Sequence, residues 1–232
     1  MKESDFTEIR SLPLFRDMED KNFDLLTRGA YVQNFPPLIE LITEGEPSDF
    51  LHVVIDGTVE MFAAWNGRET TMATVRPLGT FILAATIRDA PYLMSARTLE
   101  KARLVLLPSE DVRNIFETDS AFARAVVTEL AQCYRAVIKN TKNIKLRTSI
   151  ERLANYLVRS QTGAGGARSF ELDFEKRRPA SYLGMTPENL SRAIKALQLH
   201  GVLIDGALVT ITNQKDLLAI ARPTPLIDDP AH

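Results

Sequence analysis

At 232 residues, with an ordinary hydrophobic share of 45%, the chain is long enough for two domains with sizeable cores and is not a disordered tail. A formal net charge of −2 by itself argues against a nucleic-acid binder, but the charge is uneven: residues 1–140 sum to about −6 and residues 141–232 to about +4. The single cysteine, Cys133, excludes an internal disulfide and a cysteine-ligated iron–sulfur cluster or zinc site, and without a signal region or a membrane-length apolar run the expectation is a cytoplasmic protein with no membrane partner.

Residues 6–28 predict one or two short helices interrupted near Pro13, with Asp20 as a candidate cap. From about residue 31 to 107 the pattern changes to short β-rich runs, among them Leu51-His52-Val53-Val54-Ile55, Val59-Glu60-Met61-Phe62 and Ala102-Arg103-Leu104-Val105-Leu106. The dipeptides Asp56-Gly57 and Asn66-Gly67 between such runs are strong hairpin signals, and several hairpins in so short a span predict a small barrel or jelly roll.

A helix follows Pro108, and then a longer one capped by Asp119 or Ser120. Within it Ala123, Val127, Leu130, Tyr134, Val137, Thr141 and Ile144 alternate spacings of four and three, a heptad seam suited to a symmetric helix-to-helix dimer contact. A helix lying on its own barrel would show a similar stripe. Cys133 beside the seam reads as a small apolar filler.

Residues 148–160 predict a further helix, ended by the loop Gly163-Ala164-Gly165-Gly166. Alternating Phe170, Leu172 and Phe174 predict a strand, residues 176–183 a helix, Gly184 a turn and residues 187–200 a second helix stopped by Gly201. Leu203-Ile204 and Leu208-Val209-Thr210-Ile211 around Asp205-Gly206 predict a small hairpin. Helix, turn, helix and hairpin describe a winged helix. Prolines 223, 225 and 230 predict a loose tail.

The second helix of that pair carries the chemistry. Thr186 can cap it, and Pro187 is harmless at its first position. Leu190, Ile194 and Leu197 form an apolar face. Glu188, Ser191 and Arg192 on the opposite face are side chains able to reach base edges in a DNA major groove: Glu188 accepts from cytosine or adenine amino groups and Arg192 grips guanine bidentately. Lys176, Arg177, Arg178, Thr186 and Lys195 are candidates for the DNA backbone, giving salt-dependent affinity and no sequence preference.

The chain resembles the CRP/FNR family of bacterial transcription regulators over nearly its whole length. The residues that carry the resemblance are Thr43-Glu44-Gly45-Glu46, the run from Leu51 through Asp56-Gly57-Thr58-Val59, Gly67-Arg68-Glu69, Leu78-Gly79-Thr80-Phe81, the long helix, and Tyr182-Leu183-Gly184-Met185-Thr186-Pro187-Glu188-Asn189-Leu190-Ser191-Arg192. It implies an α+β fold: an N-terminal cyclic-nucleotide-binding-type β-roll (jelly roll), a long dimerisation helix and a C-terminal winged helix-turn-helix. The corresponding segments are residues 1–118, 119–146 and 147–222, with a flexible tail at 223–232. It further implies a homodimer on two-fold symmetric double-stranded DNA, and contact with RNA polymerase if the protein is an activator. Glu188 and Arg192 match residues shared by both main branches and Ser191 that of the FNR branch, while Pro187 stands where the CRP branch has a base-reading Arg. The implied half-site is of the TTG type with an inverted CAA partner.

Nucleotide-binding members of the family hold the phosphate with a Gly-Glu pair and, later, an Arg-Ser pair. Leu83-Ala84 and Met94-Ser95 stand at those positions here, so only Ser95 survives, and a phosphate desolvated against apolar side chains is strongly unfavourable. Arg88 and Arg97 lack the matching spacing. Control by cAMP is therefore not expected. The tentative effector pocket, Phe81, Leu83, Ala84, Tyr92, Met94 and Ser95, could hold haem, a small organic effector, or packed core, and its run from Tyr92 to Ala96 is similar to nitric-oxide-responsive members. Of His52, His200 and His232, His52 on a β-roll strand is the haem-ligand candidate, although a structural role suits it better.

No metal-ligand cluster, phosphate loop or nucleophile–base arrangement supports an enzyme. The other reading left open is a cyclic-nucleotide-binding regulatory module that senses a nucleotide or other metabolite through a non-standard pocket.

Overall fold

The computed structural model describes residues 3–172 and 177–229, and the chain divides into two compact units, Met1–Cys133 and Tyr134–His232. The first begins with α1 (Glu3–Ser11) and α2 (Asp20–Arg28). The strands β1 (Tyr31–Phe35), β2 (Glu40–Ile42), β3 (Phe50–Asp56), β4 (Val59–Trp65), β5 (Arg68–Val75) and β6 (Thr80–Phe81) follow. After α3 (Leu83–Arg88) come β7 (Ser95–Thr98), β8 (Ala102–Pro108), α4 (Ser109–Thr118) and α5 (Ser120–Leu146), whose residues from Tyr134 on belong to the second unit.

Two four-stranded antiparallel sheets, ordered β1-β8-β3-β6 and β2-β7-β4-β5, make the roll. Between β4 and β5, Asn66 and Gly67 have φ of 49° and 72°, the left-handed pair a tight hairpin needs and that these two residue types tolerate.

The run Leu51–Ile55 is buried without alternation, His52 included, because β3 is covered on both faces. Leu51, Val53 and Ile55 join Val105 and Leu107 of β8 in a core with the helices, through Ile9, Leu26, Val112, Ile115 and Phe122. Val54 and Leu104 face the other way, into a core between the sheets with Ile42, Val59, Met61, Phe81 and Tyr92. Truncating a fully buried leucine such as Leu104 in either layer would cost about 2–5 kcal/mol.

Asp119, not Ser120, caps α5: its Oδ1 accepts from the backbone N–H groups of Ala121 and Phe122, both at 2.9 Å. Its Oδ2 accepts from Glu19 N at 2.9 Å and Asn22 Nδ2 at 3.0 Å, serving the start of α2 as well. Asp20 is thus the first residue of α2, and Glu19 precedes it without a side-chain cap.

The second unit contains α6 (Ser149–Gly163), β9 (Ser169–Glu171), α7 (Arg177–Tyr182), α8 (Pro187–Gln198), β10 (Val202–Asp205), β11 (Leu208–Ile211), α9 (Gln214–Ala221) and α10 (Pro225–Asp228). A capping box between Thr148 and Glu151 starts α6. The antiparallel order β10-β11-β9 forms the wing; Phe174, expected in its third strand, lies outside the described residues. One core joins α6, α7, α8, α9 and the wing through Leu153, Leu157, Phe170, Ala180, Leu183, Leu190, Leu197, Val209 and Leu217.

The segment expected to be a loose tail is held in place as far as it is described. Asp228 of α10 makes a bidentate ion pair with Arg147 at 2.7 and 2.6 Å, and its Oδ2 also accepts from Thr224 N at 2.8 Å. Both side chains are largely buried. Prolines signal the absence of regular structure, but Pro225 here opens a short helix, a position where its missing N–H is harmless.

Candidate nucleic-acid interface

Gly184 makes the turn before α8 with φ of 60°, and a Cβ there would stand 3.4 Å from Ile144 of α5. Arg152 fastens the same place. Its buried guanidinium donates to the carbonyls of Ile144 (3.2 Å), Arg147 (2.7 Å) and Gly184 (3.3 Å). The end of α5 and the turn that launches α8 are thereby tied through one side chain. Sequence reading missed Arg152; the signal was a charge on the apolar face of α6, next to Leu153.

Thr186 caps α8 as expected, its hydroxyl accepting from Asn189 N at 3.3 Å, and Pro187 follows at the first helical position. Leu190, Ala193 and Leu197 are buried against the second unit's core and Ile194 is half-buried. That packing turns Glu188, Asn189, Ser191, Arg192 and Lys195 outward to solvent. Glu188's carboxyl is held below the usual glutamate value by its own backbone N–H, then by the Thr186 hydroxyl, with Arg192 adding a smaller attraction. At neutral pH it is therefore an ionised acceptor on the first exposed turn.

Of the backbone-contact candidates, Thr186 and Lys195 are exposed. Arg177 and Arg178 open α7, their side chains not being among those described, and Lys176 lies outside the described residues.

The seam on α5 splits into parts. Val127, Tyr134 and Val137 are 61%, 68% and 62% exposed in the single chain, and Thr141 is exposed as well. Leu130 instead packs partly against the first unit's core, and Ala123 is half-buried. Ile144, 41% exposed, also lies against the Gly184 turn. An own-domain contact and an open apolar stripe thus share one heptad pattern.

Residues 32–119 match the cyclic nucleotide-binding domain family and residues 151–220 the Crp-like helix-turn-helix domain family. The chain is 24% identical, over 90% of its length and 96% of the relative's, to a CRP-like cAMP-activated global transcriptional regulator of Mycobacterium tuberculosis. Its fold is shared with FixK2 of Bradyrhizobium japonicum (TM-score 0.69, 21% identity, 84% of this chain and 98% of that one). It is shared also with a protein described as a CRP/FNR-family regulator from Eubacterium rectale (TM-score 0.74, 18% identity, 91% and 99%).

The chain belongs to the CRP/FNR family of transcription regulators. That family regulates transcription and is not enzymatic. Among the described residues no helix is long and apolar enough to cross a membrane.

In this CRP/FNR regulator the expected effector residues do not line one pocket. Phe81 and Tyr92 are buried in the core between the sheets, with Met94 packed against it. Leu83 faces the other core, beneath the helices, and Ala84 is exposed. The reason is α3: a helix starting at Leu83 points successive side chains in different directions, whereas an extended strand would have aligned alternate ones. It is preceded by Ile82 with φ of 72°, a strained conformation for a β-branched residue. Ser95 is buried, and its Oγ accepts from Glu44 N at 3.0 Å.

Neither spare arginine offers a phosphate partner inside the roll. Arg97 is held by Glu60 (2.7 Å) and Glu69 (2.5 Å) and lies 4.3 Å over the Phe62 ring; Arg88 is exposed. A cleft of about 620 Å³ lies elsewhere in the first unit, bounded by Tyr31, Pro47, Phe50, Pro91, Pro108 and Arg113.

His52 is 3% exposed, stacked on Phe81 at 4.7 Å, and its Nδ1 has no hydrogen-bond partner. Burial pushes its pKa down to about 4, against a weaker upward pull from a backbone hydrogen bond at Phe50. The imidazole is neutral, as a ligand must be, but a macrocycle beside it would have to displace Phe81 and the packed core behind it. The arrangement does not fit haem.

Proposed function

We propose that the protein is a homodimeric reader of a two-fold symmetric operator, controlled by an effector other than cAMP. The observation that carries this reading is the outward placement of Glu188, Ser191 and Arg192 together on the first two exposed turns of a capped α8. With Pro187 in place of a reader, those three side chains suit an FNR-like half-site, TTG with an inverted CAA. Two half-sites one helical turn, roughly 34 Å, apart would meet the two heads of a dimer. Val127, Tyr134 and Val137 supply the open stripe for that dimer. Residues 1–118 then serve as sensor, 119–146 as dimerisation helix and hinge, and 147–222 as reading head, and a DNA reader of this kind works in the cytoplasm, touching RNA polymerase where it activates.

The effector reading rests on Leu83, Ala84 and Met94 at the positions where the family resemblance places phosphate anchors, and on Arg97 being held by two glutamates. A phosphate carried into that apolar interior would lose its hydration without gaining a counter-charge.

Gel-shift titration at fixed salt tests the reading head. Wild type should prefer its operator over scrambled DNA by at least about a thousandfold. Arg192→Ala should lose most of that ratio while keeping the weak, salt-dependent component. An Arg192→Ala protein that still distinguishes the two duplexes as wild type does would overturn the assignment.

A further inference from the structure

We infer that Asn189 is a further specificity-determining residue, reading the adenine of an A·T pair that adjoins the guanine read by Arg192; this rests on α8 being the reading helix. Asparagine is a poor residue for an exposed helical position, and its common excuse near a helix start is capping. Here that role is filled, because the Thr186 hydroxyl accepts from the Asn189 backbone N–H. The Asn189 side chain is exposed, and among the described residues its amide makes no hydrogen bond.

Position and chemistry then agree. Residues of the first turn reach deepest into a groove, and with Pro187 apolar the polar side chains of that turn are Glu188 and Asn189. At about 100° per residue, the exposed side chains run round α8 in the order Ser191, Lys195, Glu188, Arg192, Asn189. Asn189 therefore borders Arg192 on the flank opposite Ser191. A carboxamide presents one donor and one acceptor side by side, which matches adenine N7 and N6–H₂ bidentately. A phosphate, being acceptor only, would leave the amide oxygen unmatched.

The test selects an operator from a randomised duplex pool with the full-length wild-type protein. Competition binding of wild type, Asn189→Ala and Arg192→Ala then covers every single-base change in one half-site. Asn189→Ala should flatten the preference at one A·T pair by about tenfold, leave the G·C preference that Arg192→Ala removes, and keep the salt slope. Substituting 7-deazaadenine at that pair should weaken wild type similarly and leave Asn189→Ala unaffected. Uniform weakening of all duplexes with a shallower salt slope would make Asn189 a phosphate contact and overturn the inference, as would unchanged preferences throughout. A wild-type protein that selects no sequence overturns the reading of α8 itself, whereas selection with no Asn189-dependent position overturns only this inference.

Discussion

In α8 the side chains we propose as base readers point outward and are placed by local signals: a threonine cap, a proline at the first position and an apolar stripe underneath. In the β-roll the side chains of the expected effector pocket point in several directions and are placed by what they pack against: Leu83 under the helices, Phe81 and Tyr92 between the sheets. An exposed polar face stays readable from sequence alone, because what its residues offer to solvent does not depend on how the rest of the chain packs. A buried face does not, because the same apolar residues serve a ligand pocket or a filled core equally well.

The seam offers the largest test of that contrast. Val137→Glu places a charge on the open stripe of α5. It should give a monomer by light scattering and weaken operator binding about a thousandfold, as two linked heads become independent ones. A stable monomer that binds its operator undiminished would mean that the outward residues do not need their two-fold arrangement.

The next test lies in the roll interior. His52 keeps its ring neutral down to about pH 4, whereas the unfolded chain takes up a proton near 6.5. Between those values the unfolded state binds more protons, so stability should fall as pH drops through that window, by about 3 kcal/mol in total. In denaturant titrations His52→Phe should remove this part of the acid sensitivity, and an unchanged pH profile would show that His52 is not held neutral by a closed core.

A smaller loss, about 2 kcal/mol, is expected for Asp119→Ala, which leaves backbone N–H groups at the starts of both α2 and α5 without their acceptor. Burial would raise this carboxyl's pKa, but hydrogen bonds from Asn22, Phe122, Glu19 and Ala121 outweigh it and hold the pKa below the ordinary aspartate value. Its contribution is therefore complete above the unfolded pKa and disappears as pH falls through the folded one. Thermal melts of wild type and variant should converge at the acid end.

The smallest effect, about 1 kcal/mol, is expected for Gly184→Ala, from the left-handed turn alone, with the added methyl touching Ile144. If its melting temperature is unchanged, the turn tolerates a side chain and its glycine is not structurally required.

Much of the architecture was legible because it is written in local chemistry. The Asn66-Gly67 turn, the pairing of β4 with β5, the Thr186 cap and the Gly184 turn each depend on a few adjacent residues. What escaped notice depends on residues far apart in the chain. Asp119 meets Glu19 and Asn22 about a hundred positions away, Arg147 meets Asp228, and Arg97 meets Glu60 across β4 and β7. The helix α3 escaped for a different reason: it is entered through Ile82 in a left-handed conformation that a β-branched residue does not announce. The effector pocket was accordingly drawn from residues that α3 separates.

The most direct measurement of the contrast between the proposed reading head and a roll proposed to lack phosphate anchors is the operator-to-scramble affinity ratio of the full chain, with and without about 1 mM cAMP, a concentration that would saturate any micromolar site. The ratio should be large and the same in both arms. A ratio that rises tenfold or more when cAMP is added would contradict that contrast.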